Sequence, residues 1–123
     1  MAVDKRAAIG YLEVGGIPME RFAWKAHLLP GKRDEYVRRH DEIWPELTQV
    51  LNDAGIHNYT IWRAGDELFG YYEAENGVVF AQKTQAESPV VARWNAFMKD
   101  VMVMDIDPAT GTVYRMEQVF YHS

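Results

Sequence analysis

The chain has 123 residues, 48% of them hydrophobic, and it contains no cysteine. This length fits one domain that buries most of the surface its unfolded chain exposes. The missing cysteines exclude disulfides, a thiolate nucleophile and thiolate metal ligands, and they agree with a cytoplasmic location. The formal charge of −5 comes with basic residues scattered among more numerous acidic ones. This argues against a nucleic-acid partner, which requires a basic stripe for its phosphates.

The first 18 residues precede any regular pattern. Their apolar run, Ala7–Leu12, is interrupted by a glycine and is too short for a signal peptide. No window of the sequence approaches the roughly 18 apolar residues that span a bilayer, so no membrane partner is expected. Gly15 and Gly16 indicate a flexible joint. We therefore expect a poorly ordered N-terminal extension over residues 1–18 and a single α+β domain over residues 19–123.

The domain opens with a strand followed by a helix. Large and small residues alternate over Arg21–Leu29 and stop at Pro30, which is typical of a half-buried strand and a turn. Helical spacing covers Arg33–Leu47, but Pro45 lies inside it and must kink or restart the helix. Gly55 then ends this helical region.

The rest of the chain alternates between strand and helix patterns. The predicted elements are a hairpin of Ile56–Trp62 and Glu67–Glu73, a helix over Val78–Glu87, a second helix through Val101 that Ser88 caps and Pro89 begins, a loop over 105–111, and a last strand over Val113–Tyr121.

The order strand, helix, strand, strand, helix, strand predicts a ferredoxin-like plait (βαββαβ), an α+β fold. In such a plait the helices cover one face of the antiparallel sheet and leave the other face bare. The predicted strands carry more aromatic side chains than two helices can cover. We therefore expect a homodimer whose sheets pack face to face as a dimeric α+β barrel. The strand aromatics are Trp24, Tyr59, Trp62, Phe69, Tyr71, Tyr72, Tyr114, Phe120 and Tyr121.

The clearest indication of chemistry is the pair Tyr36 and His40, four residues apart on the apolar side of the first helix. This spacing points a titratable imidazole inward. A lone histidine there is equally consistent with a core residue bonded to backbone. Tyr59 on the next strand and Trp94 on the last helix add rings and hydroxyls, a combination suited to a polar, uncharged ligand such as a sugar. Spacing alone does not separate this role of Trp94 from simple core packing.

Other chemistries find little support. The four histidines lie on different predicted elements and no two share a helix at ligand spacing, so no metal site is expected. The sequence has no glycine-rich phosphate loop, nucleophile elbow or dinucleotide fingerprint, so no cofactor is expected. Asp41 and Glu42 follow His40 directly but are interpreted as a solvated helix face. Gly70, between two aromatic residues, indicates a bulge or a place where the backbone approaches a ligand.

Several blocks of the sequence resemble the L-rhamnose mutarotase family. They are Tyr36–His40, Ile43-Trp-Pro-Glu-Leu47, Gly55-Ile-His-Asn-Tyr-Thr-Ile61, Arg93-Trp94 and Gln118-Val-Phe-Tyr121. The resemblance extends from about Glu20 to the C-terminus. It implies a homodimeric α+β barrel that interconverts the α and β anomers of L-rhamnose.

By motif, His40 matches the acid/base histidine of that family, and Tyr36, Tyr59 and Trp94 match its sugar-binding residues. We expect His40 to protonate the ring oxygen of the sugar, with Tyr36 or Tyr59 holding hydroxyls and Trp94 against the apolar sugar face. Asn95 stands where the family often has a second tryptophan, and its amide is expected to bind a sugar hydroxyl instead. The sugar can therefore be L-rhamnose or a related deoxysugar. Two other functions stay open: a monooxygenase on the same dimeric barrel, and a sugar-binding module without turnover.

Overall fold

The computed structural model describes residues 18–123, so nearly all of the predicted extension over residues 1–18 lies outside the described residues. Within this part of the chain, no helix has the length and apolar character needed to cross a membrane. The elements, in chain order, are β1 (Glu20–Leu28), α1 (Arg33–Asp41), α2 (Pro45–Asp53), β2 (Ile56–Ala64), β3 (Glu67–Ala74), α3 (Val78–Ala86), α4 (Pro89–Met98) and β4 (Met102–Met104).

The four strands form one antiparallel sheet in the order β2-β3-β1-β4. This is the strand order of a ferredoxin-like plait, and the predicted α+β fold is confirmed. β1 is central and pairs with β3 along its length, from Glu20 opposite Ala74 to His27 opposite Glu67. Each helix of the simple plait is replaced here by a pair of short helices, α1 with α2 and α3 with α4.

Alternation along the strands divides the sheet into a helix-covered face and an open face. Every second residue of β1 from Trp24 to Leu28 is buried, and Leu68 of β3 joins them on the covered face. Trp24, Ala26, Leu28 and Leu68 form one core cluster with Tyr36, Met98 and Val101. A second buried cluster, toward the other end of β3, contains Ala54, Ile56, Tyr72, Ala74, Val78 and Ala81.

The helix boundaries follow local signals in the sequence. As predicted, Pro45 restarts the helical region: it is the first residue of α2, and Trp44 before it is extended, with φ −65° and ψ 130°. The Ser88 hydroxyl caps α4 by accepting a hydrogen bond from the Val91 backbone N–H at 3.3 Å. Helix α4 ends at Met98, three residues earlier than predicted.

The prediction of a last strand over Val113–Tyr121 is wrong. The fourth strand is Met102–Met104, and beyond it only a single bridge joins Ile106 to Val113. The place beside Ala26–Leu28 of β1 is taken by Met102–Met104. The chain then turns over residues 107–111, so that Val113 meets Ile106 instead of the edge of the sheet. Alternation alone does not form a ladder, because the backbone must also lie along the edge of a neighbouring strand. The C-terminal segment lies near β1 all the same, since Lys25 stands over the ring of Tyr114 and Arg21 over that of Tyr121.

The strand aromatics divide between the two faces of the sheet. Tyr72 and Trp24 are buried on the covered face, whereas Trp62 and Phe69, which are register partners, lie on the open face. Trp62 is 69% exposed and Phe69 is 38% exposed. The prediction that the sheet carries uncovered aromatic surface is therefore confirmed.

Candidate active site

Helix α1 places Tyr36 and His40 against each other at the edge of the core. Their ring centroids are 4.3 Å apart, with an angle of 37° between the ring planes. Tyr36 is buried and His40 is half-buried. The imidazole is thus neither turned out to bulk solvent nor sealed in the core. Asp41 and Glu42 are exposed, and Glu42 pairs with Arg38, as expected of a solvated face.

The hydrogen bond of His40 defines which nitrogen is available for chemistry. Nδ1 lies 3.1 Å from the backbone carbonyl oxygen of Tyr36. A carbonyl only accepts, so Nδ1 carries the proton of the neutral ring and Nε2 keeps its lone pair. Burial lowers the pKa of His40 below its usual value, although the Tyr36 carbonyl and the Asp41 carboxylate act in the opposite direction. The neutral ring, with a basic Nε2, therefore dominates at neutral pH.

Helix α4 brings Trp94 to the other side of His40. The two ring centroids are 5.4 Å apart at 88°, an edge-to-face contact. Trp44, the residue before α2, makes a similar contact with Trp94 at 5.2 Å and 88°. Trp94 is half-buried, so part of the indole surface stays accessible. Asn95 is exposed on α4, and within residues 18–123 no hydrogen bond connects it to these rings.

Strand β2 contributes Tyr59 because of a β-bulge. His57 pairs with Glu73 and Thr60 with Tyr71, so β2 has one residue more than β3 between these pairs. In an unbroken ladder Tyr59 would share a face with His57, the open face. The extra residue instead turns Tyr59 to the covered face, where it packs against both core clusters.

The bulge itself rests on Asn58. This residue has φ +49°, a left-handed conformation that asparagine tolerates better than most other residues. Its side-chain amide donates a 2.7 Å hydrogen bond to Glu73 on β3. Glu73 also accepts a 2.8 Å bond from the Tyr71 hydroxyl. The placement of Tyr59 thus depends on its neighbour in sequence.

Tyr36 and Tyr59 supply hydroxyls that stay protonated. Burial raises the pKa of Tyr59 to about 12, and burial together with the nearby Tyr59 raises the pKa of Tyr36. Both groups are therefore neutral hydrogen-bond donors at neutral pH. With His40 and Trp94 they present one proton acceptor, two hydroxyls and an aromatic surface. That combination suits a neutral polyol better than a charged ligand.

Trp24 is the partner of Tyr59. Its indole N–H donates a 3.0 Å hydrogen bond to the Tyr59 hydroxyl. The indole lies directly on Gly70 of β3, where an added Cβ would stand only 1.9 Å from Trp24 Cε2. The group that lies against Gly70 is therefore a tryptophan of the same chain, and the irregularity of the ladder lies at Asn58 on β2 instead.

Arg39, next to His40, ties α1 to α4. Its guanidinium donates to the Phe97 carbonyl at 2.6 Å and to Asp100 at 2.8 Å, and it stands 4.2 Å from the centre of the Phe97 ring. A third bond, of 2.6 Å, reaches Glu35. Arg39 therefore fixes the helix of His40 relative to the helix of Trp94.

The structure brings Tyr36, His40, Tyr59 and Trp94 together as predicted, and it leaves Asn95 outside the cluster. Sequence reasoning missed Trp24, Trp44 and Arg39 as parts of the site. Trp44 follows His40 by four residues, which is a usable signal. The contacts of Trp24 and Arg39 join distant segments of the chain, so no local pattern indicates them.

Two of the other histidines, His27 and His57, lie apart from this cluster. His27 is 2.7 Å from the Asp105 carboxylate and His57 is 2.8 Å from that of Glu75, both away from the covered face. Across residues 18–123, no three His, Asp or Glu side chains are grouped so that they could hold a metal ion.

Comparison with known proteins identifies relatives of the chain. A family model described as L-rhamnose mutarotase matches residues 21–122. The L-rhamnose mutarotase of Burkholderia cenocepacia is 46% identical over 91 residues, which cover 72% of this chain and 86% of that protein. That of Phocaeicola vulgatus is 34% identical over 112 residues, covering 84% and 98%. The crystal structure of an L-rhamnose mutarotase from Formosa agariphila superposes with a TM-score of 0.68 at 32% identity, covering 85% of this chain and 99% of that one.

Proposed function

Because this chain belongs to the L-rhamnose mutarotase family and is thus an isomerase, we propose that it interconverts the α and β anomers of L-rhamnose. The observation that carries this proposal is the half-buried His40, held between Tyr36 and Trp94 with Nε2 available. A sugar offers the matching groups, namely hydroxyls for the tyrosines and an apolar ring face for the indole.

The reaction requires two proton transfers and no other co-reactant. A base removes the proton of the anomeric hydroxyl while the bond between the anomeric carbon and the ring oxygen breaks, and an acid protonates that oxygen. The free aldehyde then turns and closes on its other face by the reverse steps. Since the spontaneous reaction already proceeds in water, about 10² to 10⁴ in rate from acid/base groups, together with positioning, is adequate.

We assign the base role to His40. The neutral ring has its proton on Nδ1, where the Tyr36 carbonyl holds it, so Nε2 accepts the anomeric proton and returns it on closure. The acid is a tyrosine hydroxyl, that of Tyr36 or Tyr59, which gives its proton to the ring oxygen on opening and takes it back when the ring closes. The hypothesis from sequence gave His40 the other step, protonation of the ring oxygen, which needs the imidazolium form. The lowered pKa of His40 favours the base role.

The pH dependence of kcat/KM distinguishes these two roles. If His40 is the base, kcat/KM for L-rhamnose rises with pH through the pKa of His40, which burial lowers from its ordinary value, and is level above that pKa. The active neutral form is lost as the pH falls. The measurement is anomer exchange between about pH 4.5 and 8, with the uncatalysed rate subtracted. A rate that instead falls as the pH rises through this pKa would assign the acid role to His40.

Saturation-transfer NMR between the two anomers tests the function itself. Purified protein should accelerate exchange in L-rhamnose, and a panel that includes L-fucose and other aldoses defines the preferred sugar. Faster exchange in L-fucose than in L-rhamnose would overturn the substrate assignment. Sugar binding without faster exchange would indicate the binding module, and oxygen uptake with a quinol would indicate the monooxygenase.

We further propose a homodimer in which two open sheet faces meet. Trp62 and Phe69 are register partners, and they leave adjoining apolar surface uncovered on this face. Contiguous exposed apolar surface of this kind marks interaction sites. A second copy supplies the matching surface, because two-fold interfaces are self-complementary. The cytoplasmic location stays a prediction from the sequence.

A further inference from the structure

We propose that Trp24 is a positioning residue, whose indole N–H orients the Tyr59 hydroxyl so that this hydroxyl donates its proton to the bound sugar. The inference rests on the proposed function, since the sugar is the acceptor. It assigns a part in the reaction to a residue that lies within the core of the sheet.

The geometry that carries the inference spans three neighbouring strands. Trp24 stands on β1, its indole crosses Gly70 on β3, and its N–H reaches Tyr59 on β2 at 3.0 Å. Trp24 is only 7% exposed, so water has little access to this bond. A buried indole N–H that had no acceptor would destabilise the fold. If the Tyr59 hydroxyl did no more than accept this N–H, the hydrogen bond would have a purely structural role.

Two features point beyond that structural role. First, the acceptor is a hydroxyl rather than a backbone carbonyl. A phenol that accepts a bond from Trp24 keeps its own proton for another acceptor, and the direction of that proton is restricted. Second, Tyr59 packs against the core cluster that contains Tyr36 and against which Trp94 also packs, so Tyr59 lies beside the proposed sugar site. Trp24 therefore leaves Tyr59 to act as a donor there.

The position of the indole further depends on Gly70. A Cβ at this residue would come within 2.2 Å of the indole Nε1 as well as 1.9 Å of Cε2. Any side chain at position 70 thus displaces the N–H from Tyr59. Gly70 has no positive φ, so backbone conformation does not call for glycine here. The space above its Cα is what the indole requires.

The test is a double-mutant cycle of Trp24→Phe and Tyr59→Phe, with kcat and KM measured by anomer exchange in L-rhamnose. Trp24→Phe keeps an aromatic ring and removes the donor. We expect each single change to lower kcat/KM about 5- to 10-fold. In the Tyr59→Phe background, Trp24→Phe should have less than about 2-fold effect, because the hydroxyl on which it acts is gone.

Thermal unfolding separates this role from simple packing. In the double variant Trp24→Phe with Gly70→Ala, the added methyl group fills part of the space that the indole leaves. We expect this second change to restore part of the thermal unfolding midpoint that Trp24→Phe loses, but not kcat/KM. The inference would be overturned if Trp24→Phe lowered kcat/KM by the same factor with and without the Tyr59 hydroxyl. Full activity of folded Trp24→Phe would overturn it as well. If the wild-type protein fails to accelerate exchange, the proposed function fails separately. The same cycle is then measured as affinity for L-rhamnose, and absence of coupling there would overturn the inference too.

Discussion

Replacing His40 by asparagine is expected to lower kcat for anomer exchange in L-rhamnose by about 10²- to 10⁴-fold, the contribution typical of one acid/base group. The amide of the His40→Asn variant can still donate an N–H toward the Tyr36 carbonyl, as Nδ1 of His40 does at 3.1 Å. The amide has no counterpart of the basic Nε2. The variant therefore removes the proton acceptor while it preserves the local hydrogen bond.

The control for this change is His122→Asn, which alters an exposed histidine near the C-terminus. We expect the control to exchange anomers at the wild-type rate. Circular dichroism and thermal unfolding establish that both variants are folded, and saturation-transfer NMR measures the exchange rate above the uncatalysed background. Exchange at the wild-type rate in folded His40→Asn, measured above the uncatalysed background, would remove His40 from the reaction.

Replacing Trp62 by glutamate is expected to convert the proposed dimer to a monomer. Trp62 is 69% exposed, and its register partner Phe69 is 38% exposed, both on the open face of the sheet. A carboxylate buried there between two copies would lose its hydration. Such burial costs several kcal/mol, and each 1.4 kcal/mol weakens association about tenfold.

Val79→Glu is the matched control, because Val79 is 76% exposed but lies on α3, away from the open face. It adds the same charge and should leave the dimer intact. Size-exclusion chromatography with light scattering gives the mass of each protein across a range of micromolar concentrations. A wild-type monomer at all concentrations, or a Trp62→Glu variant that stays dimeric, would contradict the proposed interface.

The outcome for the C-terminal segment shows where sequence patterns stop. The alternating residues over 113–121 have the period of a strand, yet only Val113 forms a bridge, and the short β4 at Met102–Met104 takes the place beside Ala26–Leu28 of β1. Alternation predicts which side chains share a face. Strand formation also requires that the path of the chain brings the segment along the edge of another strand, and the sequence of the segment carries no information on that path.

The sequence by itself determined the features that depend on local spacing and on backbone chemistry. The contact between Tyr36 and His40 follows from the helical repeat. The helix restarts at Pro45 because proline has no backbone N–H to donate inside a helix. Ser88 caps α4 because its hydroxyl accepts a hydrogen bond from a backbone N–H of the first turn. Together with the order of the elements, these signals predicted the α+β plait and most of the candidate site.

Only the tertiary structure decided how Tyr59 joins that site. One extra residue at the Asn58 bulge turns Tyr59 to the covered face, and the register of β1 against β3 places Trp24 over Gly70 and within 3.0 Å of the Tyr59 hydroxyl. The physical reason is that side chains alternate with a period of two, so a shift of one residue reverses the face. Register is a property of paired strands, and a single strand's sequence does not contain it.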